Sequence, residues 1–392
     1  MRGVITRSPH RYYGAFLVLL LAAAVAASLL LFFGAALPAQ AQSTITVNTT
    51  ADEQNTNGKC SLREAVINAD KNDQSGSADC PAGSSTGADT ITFSLAPSST
   101  IWLGSALPII EDTAGLTIDG GNASITISGG NEVRVFLVDN GAKLSLRNLT
   151  VSDGFTSGSG GGLFNDGQVE VINSTFSYNR AHFGGGIENQ NRLTVTNSTF
   201  SLNDATSADG GGIFNFGFLT ITNSTFYLNS AVGQGGGINH TSDVVPITVT
   251  NSTFSKNSAF QGGGIFNSTA GATATLSNTI MANNPTGENC VGPVTDGGYN
   301  IDDGPTCGFS AAKHSQPSTD PKLDPGGLQH NGGLTQTIAL LTGSPALNAI
   351  PQGQSNCATT TNPLTTDQRG VKRPQGTGCD IGAYEKRVKH HH

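Results

Sequence analysis

The side chains of this chain that could do acid–base chemistry are few. Asp204 and Asp209 fall in one predicted loop, and Arg180 and His182 fall in the loop before it. Two carboxylates, or a carboxylate and a base, can cleave a glycosidic bond when they converge within roughly 10 Å. These four residues are therefore the catalytic candidates, although two solvated loops explain the same residues without any chemistry.

A repeat of about 24–28 residues determines where such side chains can meet. Its consensus is L-T-V-T-N-S-T-F-S-x-N followed by G-G-G-I-F-N, with the best copies starting at Val169, Leu193, Leu219 and Ile247 and weaker ones at Leu144 and Ala274. Apolar and polar residues alternate within each copy, which is typical of short strands with one buried face. A period this short indicates the stacked coils of a solenoid rather than separate domains.

Two Asn columns, an apolar column and the glycines are interpreted as scaffold. Asn tolerates the left-handed backbone of a bend and can hydrogen-bond along a stack, and Gly permits positive φ and close approach. The bend column is Asn148, Asn173, Asn197, Asn223, Asn251 and Asn278, and the second Asn column is Asn179, Asn203, Asn229, Asn257 and Asn284. The inward column is Val151, Phe176, Phe200, Phe226, Phe254 and Met281. Four bend Asn residues match glycosylation acceptors, but glycans on successive coils would collide.

The position that follows each inward Ile or Leu of the G-G-G half is called the slot. Its residue type varies between copies, as expected for a side chain that points outward. It is occupied in turn by Phe164, Glu188, Phe214, Asn239 and Phe266. A row of exposed Phe side chains is unfavourable in water unless it has a function. One such function is a binding face on which the rings stack against sugar rings or a partner protein. We predict these five residues as binding residues. The alternative is that the protruding loops fold over the rings and bury them.

Composition and the chain start indicate an exported protein. The 392 residues include 51 Gly and only 12% charged residues, which suits turn-rich β-structure. Residues 1–41 have a basic start, an apolar run and a Pro-Ala-Gln-Ala ending, which predicts a cleaved signal peptide. An uncleaved membrane anchor is the alternative, since the run reaches the roughly 20 residues of a span.

The charge and the cysteines limit partners and cofactors. Loss of three leader arginines would lower the formal charge from −8 to −11, which disfavours nucleic acid and anionic lipid. Six cysteines in an exported chain favour disulfides, and neighbours in a solenoid are close in sequence. We therefore expect Cys60–Cys80, Cys290–Cys307 and Cys357–Cys379. No metal site or cofactor is predicted; Ca²⁺ is compatible with an acidic chain, but Asp302-Asp303 is interpreted as a turn.

A short helix is predicted before the repeats. Ser61-Leu62-Arg63-Glu64 has the spacing of a capping box, and apolar residues follow at helical intervals. Such a helix would cap the open end of the stack, which is otherwise an aggregation-prone edge.

These motifs carry a family resemblance. The hexapeptide Cys60 to Ala65 after Val47 to Asp52 resembles the CSLREA domain of exported bacterial proteins. The repeats resemble those of polymorphic outer membrane proteins. The choice-of-anchor Q domain is resembled by motifs at Asp320 to Leu323, Asn331 to Thr337, Gly343 to Ala346, Asp367-Gln368-Arg369-Gly370 with Arg373-Pro374, and Cys379 to Glu385. The resemblance implies an all-β, right-handed, single-stranded parallel β-helix of the pectin-lyase-like kind.

The expected organisation follows from these motifs. Residues 1–41 form the signal peptide, 42–90 the CSLREA-type cap with its helix, 91–298 the β-helix, 299–385 the choice-of-anchor Q-like region and 386–392 a basic, His-containing tail. We expect a secreted or surface protein that binds a polysaccharide or a cell-surface component through its long face. A non-catalytic role is favoured over an enzymatic one. A polysaccharide lyase or hydrolase, or a structural surface-layer or spacer protein, are the alternatives; the oligomeric state stays open.

Overall fold

The protein is an all-β, right-handed parallel β-helix of about eight turns. A computed structural model describes residues 42–268, 271–357 and 365–388. The predicted signal peptide, residues 1–41, lies outside the described residues.

Three long parallel sheets form the walls of the solenoid within this described part. Sheet A contains β1 (Ser43–Val47), β2 (Asp89–Phe93), β4 (Leu116–Asp119), β7 (Lys143–Arg147), β10 (Gln168–Ile172), β14 (Arg192–Thr196), β18 (Phe218–Thr222), β22 (Ile247–Thr250), β25 (Ala274–Ser277) and β28 (Val294–Asp296). Sheet B contains β3 (Thr100–Trp102), β5 (Ile125–Ser128), β8 (Leu149–Ser152), β11 (Thr175–Ser177), β15 (Thr199–Ser201), β19 (Thr225–Tyr227), β23 (Thr253–Ser255), β26 (Ile280–Ala282) and β29 (Ile301–Asp302).

The third wall and the small elements complete the described coils. Sheet C contains β6 (Phe136–Val138), β9 (Leu163–Asn165), β13 (Ile187–Asn189), β17 (Ile213–Asn215), β21 (Ile238–His240), β24 (Ile265–Asn267) and β27 (Cys290–Val291). A small sheet of β12 (Arg180–Ala181), β16 (Asp204–Ala205) and β20 (Ser230–Ala231) lies in the protruding loops. The antiparallel pair β30 (Ile350–Pro351) and β31 (Gly378–Cys379) and a 3₁₀ turn, Ala311–Lys313, belong to the C-terminal region.

The inward column packs as a continuous stack of rings. Phe176, Phe200, Phe226 and Phe254 are fully buried. Successive ring centroids lie 5.2, 4.8 and 4.5 Å apart, with interplanar angles of 7°, 6° and 4°. This spacing matches the distance of about 4.8 Å between neighbouring strands, so one ring per coil fills the core.

The second Asn column forms the predicted hydrogen-bonded ladder. The Nδ2 of Asn179, Asn203 and Asn229 each donates to the Oδ1 of the next coil's Asn at 2.9 Å. These residues are fully buried, and each Nδ2 also donates to a backbone carbonyl oxygen of the previous coil. The ladder therefore satisfies polar groups that would be costly to bury alone.

The bend column has the predicted backbone conformation. Its six Asn residues have φ between 48° and 56°, in the left-handed region that Asn tolerates. Asn173 Nδ2 donates to Asn148 Oδ1 at 3.2 Å, and Asn148 Nδ2 donates to Asp119 Oδ1 of the previous coil at 2.7 Å. Asn223 and Asn251 are each only 3% exposed, which agrees with a scaffold role for these apparent glycosylation sites.

The predicted helix, here α1, spans Leu62–Lys71 and begins with the predicted capping box. Ser61 Oγ accepts from the Glu64 backbone N–H, and Glu64 Oε2 accepts from the Ser61 N–H. Its buried residues join the core beside β1, which pairs with β2. Sheet A thus already begins at Ser43, within the segment interpreted as a cap.

The disulfides have the expected connectivity. Cys60–Cys80 lies beside the start of α1, Cys290–Cys307 lies near the last coils, and Cys357–Cys379 lies in the C-terminal region. All six cysteines are buried and no described cysteine is free.

The ring stack gives the first prediction. Phe226→Ala removes a ring held between two others, so we expect a loss of unfolding free energy of about 3–5 kcal/mol. Urea unfolding followed by circular dichroism would show it as a lower midpoint. Phe260→Ala is the control, because Phe260 is 78% exposed and should cost less than about 0.5 kcal/mol. Equal midpoints for the two variants would contradict the stacked core.

Candidate functional site

Of the four catalytic candidates, only Arg180 and Asp204 form an ion pair or hydrogen bond with each other among the described residues. Arg180 and Asp204 are paired in register on β12 and β16, and their nearest nitrogen and oxygen lie 3.7 Å apart on the surface. Asp204 Oδ1 also accepts a hydrogen bond from Ser230 at 2.6 Å. Asp209 instead accepts the backbone N–H of Gln234, and the His182 ring packs edge-on against Phe183. The structure therefore brings two of the candidates together as one ion pair at the surface. This arrangement agrees with the alternative interpretation, in which the residues belong to solvated loops without a catalytic role.

The predicted binding slot has the expected register but is not an open face. Phe164, Glu188, Phe214, Asn239 and Phe266 lie side by side on consecutive strands of sheet C. Glu188 is 4%, Phe214 5%, Asn239 0% and Phe266 8% exposed, and Phe164 is half-buried.

The protruding loops cause this burial. Phe183 stacks on Phe214 at 4.8 Å between ring centroids, and Phe216 packs edge-on at the same distance. The Arg134 guanidinium lies 5.5 Å from the centroid of the Phe164 ring. Loop residues thus cover the slot, as in the alternative considered above, and the assignment of its five residues as an exposed binding face is corrected.

Glu188 is an ionisable group within this covered slot. Burial raises the pKa of its carboxyl above the ordinary range, although hydrogen bonds with Ser159 and Gln190 and the charge of Arg134 act in the opposite direction. Its neighbours in the slot are Phe164 and Phe214, and neither is acidic. The slot therefore supplies no second carboxylate beside Glu188, whereas glycoside hydrolysis ordinarily uses a pair.

The acidic pair Asp302-Asp303 organises a turn. Asp302 is fully buried and accepts hydrogen bonds from the backbone N–H groups of Gly304 and Cys307, both at 2.9 Å. Asp303 accepts from the Asn283 N–H at 2.6 Å. Among the described residues, no group of three or more His, Cys, Asp or Glu side chains could hold a metal ion.

The outer face of sheet B is partly covered by the C-terminal region. Gln368 Nε2 donates to Thr199 Oγ1 at 2.8 Å, and Gln368 Oε1 accepts from Thr225 Oγ1 at 2.6 Å. The Ala383 N–H donates to Thr253 Oγ1 at 3.0 Å. These three outward threonines are consequently buried on a face that would otherwise meet solvent.

Buried ion pairs hold this covering region together. Arg373 pairs with Glu385 at 3.0 Å, and both side chains are 1% exposed. Arg369 pairs with Asp367 at 2.6 Å and lies 3.7 Å from the centroid of the Tyr384 ring. These residues belong to the C-terminal motifs noted in the sequence, and their observed role is to build the cover.

Sheet A keeps an open outer face, and a groove of about 270 Å³ lies on it. We call this the basic groove and define it by Lys143, Arg147, Gln168, Glu170 and Arg192 on β7, β10 and β14. Three cations and one anion give it a net positive charge, although the whole chain has a formal charge of −8.

Two of these cations are unpaired and one is held in place. Lys143 and Arg192 are exposed and form no ion pair within the described residues. Arg147 Nε donates to Ser145 Oγ at 2.9 Å, and its guanidinium lies 3.7 Å from the Glu170 carboxylate. Arg192 also lies 4.7 Å from the centroid of the Phe218 ring on the next strand, which is 46% exposed.

A second cleft, of about 430 Å³, separates the C-terminal region from the coils. Tyr227 and Lys256 line it from the coil side, with Lys256 Nζ 5.6 Å from the centroid of the Tyr227 ring. Lys322, Asp320 and Asp324 line the other side. Its two cations are balanced by two anions, so it lacks the charge bias of the basic groove.

Sequence reasoning missed the basic groove because it searched the slot after each inward Ile. The groove column instead occupies the position just before the first inward residue of each copy, where Lys143, Gln168, Arg192 and Phe218 follow one another in register. The sequence signal that could have revealed the groove is the change of residue type at this outward position from copy to copy.

Comparison with known proteins supports the fold. A family model described as "Right handed beta helix region" matches residues 114–284. No curated protein and no solved structure shows significant similarity to the chain. In the described part of the chain, no helix has the length and apolar character needed to cross a membrane.

Glu188 gives a prediction about pH. Because its pKa is raised in the folded state, the carboxyl favours folding most when protonated, and this contribution is lost as the pH rises through the folded pKa. We expect Glu188→Gln to gain stability over the native protein as the pH rises from about 4 to about 8. Urea midpoints across this range would measure the difference. The exposed Glu170→Gln is the control, and parallel pH profiles for Glu188→Gln and the native protein would refute the assignment.

Proposed function

We propose that this chain is an exported, non-catalytic β-helix protein that binds a polysaccharide or another cell-surface component, in an adhesin-like or cell-envelope role. The binding surface in this proposal is the outer face of sheet A. The observation that carries it is the basic groove, an open and charge-biased concavity on the longest sheet of the described chain. Extended polymers suit such a surface because it repeats the same backbone spacing from coil to coil.

Export is supported by independent features. The predicted signal peptide precedes the described fold, and all the described cysteines form disulfides, which persist in oxidising compartments. A solenoid closed by α1 at one end presents long lateral faces rather than an enclosed pocket.

A binding role is favoured over a catalytic one by the arrangement of the acids. Arg180 and Asp204 form an exposed ion pair, and Glu188 lies under the loops without an acidic neighbour. Glu170, the acid of the basic groove, faces Arg147 rather than a second carboxylate.

Binding and turnover can be separated in one experiment. We expect the purified protein to be retained saturably by at least one immobilised polysaccharide or cell-envelope fraction, without release of reducing ends or unsaturated products, with and without Ca²⁺. Steady release of such products would replace the proposal with an enzymatic function. Absence of retention on every surface would leave a structural spacer and overturn the binding role.

A further inference from the structure

We infer that the ligand of the basic groove is an acidic polysaccharide whose chain runs parallel to the solenoid axis, across the strands of sheet A. This inference rests on the proposed function and specifies its ligand class. It depends on the charge of the groove, the spacing of its cations and the aromatic residue at its end.

The charge of the groove selects a negatively charged partner. Lys143 and Arg192 have no carboxylate partner among the described residues, so their charges are available to a ligand. The two exposed cations and the partly buried Arg147 share one concavity on a chain with 20 basic and 28 acidic residues. Guanidinium groups bind carboxylates and sulfates with two parallel hydrogen bonds, and an ammonium group adds a point charge.

The spacing of the cations selects a repeating ligand. Lys143 pairs with Gln168, and Gln168 pairs with Arg192, so the two cations lie two strands apart in one column. Two strand spacings amount to about 10 Å, close to the length of a disaccharide. Gln168 lies between them and offers an amide that can donate to and accept from hydroxyl groups. A polymer with one acidic group per disaccharide would therefore meet each cation in turn.

The column ends on an aromatic surface. Phe218 pairs with Arg192 in register and is 46% exposed, while its ring lies beside the guanidinium. An exposed ring at the end of a polar column provides apolar area for the CH face of a sugar. This feature favours a glycan over a ligand that offers charge alone.

Glu170 argues against nucleic acid as the ligand. Its carboxylate lies in the middle of the groove, on the strand between β7 and β14. A phosphate backbone has closely spaced charges and would be repelled by this carboxylate. A glycan with wider spacing between its charges can place a hydroxyl at that point instead.

Matched charge variants test the inference. The triple variant Lys143→Gln, Arg147→Gln and Arg192→Gln removes the groove cations. The control, Lys313→Gln, Lys372→Gln and Arg387→Gln, makes the same change in net charge at exposed positions away from the groove. Binding is measured with hyaluronan, which carries one carboxylate per disaccharide, with keratan sulfate, whose acidic groups are sulfates, with neutral dextran and with double-stranded DNA, at several salt concentrations. Circular dichroism checks the fold.

We expect the groove variant to bind hyaluronan or keratan sulfate at least about tenfold more weakly than the control and with a reduced salt dependence, because several charge contacts are lost. Phe218→Ala should weaken binding while leaving the salt dependence unchanged. The carboxylated and the sulfated chain distinguish which acidic group is preferred.

Four outcomes would overturn the inference. If the two triple variants weaken glycan binding equally, net charge alone determines the affinity. If DNA binds as tightly as the acidic glycans, the groove does not select a glycan. Retention of dextran that the groove variant does not change would leave the proposed function standing with a neutral ligand. Absence of binding to all four probes and to cell-envelope fractions would remove both.

Discussion

The structure depends on the in-register hydrogen bonding of parallel coils. Each strand of sheet A, B or C pairs with the equivalent strand of the next coil, so equivalent residues lie about 4.8 Å apart. A residue type that recurs in the repeat therefore becomes a column. Buried columns must tolerate identical neighbours at this distance, which Phe rings do by stacking and Asn side chains do by donating to one another.

The same constraint concentrates variation on the surface and divides it into three faces. Loops bury the outer face of sheet C through contacts such as Phe183 on Phe214. The C-terminal region covers part of sheet B and is fixed there by Gln368 and by the buried Arg373–Glu385 pair. Sheet A remains open, so a change of residue type along its outward columns alters a solvent-facing surface without disturbing the core.

Much of the fold could be predicted because the repeat itself encodes the register. The strands, both Asn columns, the positive φ of the bend, the capping box at Ser61 and the three disulfides agree with the sequence analysis. For Phe214 the sequence left both exposure and burial open, because burial depends on irregular loops whose course the period does not determine. The covering of sheet B by the C-terminal region could not be predicted, since Gln368 contacts Thr199, which lies 169 positions earlier in the sequence. The positions that form the basic groove follow from the strand register alone. Its cations, however, occupy positions where the repeat consensus is weakest, so the consensus does not reveal them.

A crystal structure of the protein with a bound acidic oligosaccharide would decide whether the basic groove is the binding surface. We expect density for the ligand on the outer face of sheet A, parallel to the solenoid axis, with its acidic groups at Lys143 and Arg192 and a sugar ring against Phe218. Ligand density in the cleft beside Tyr227 and Lys256, or along the protruding loops near Arg180, with the basic groove empty, would contradict this assignment.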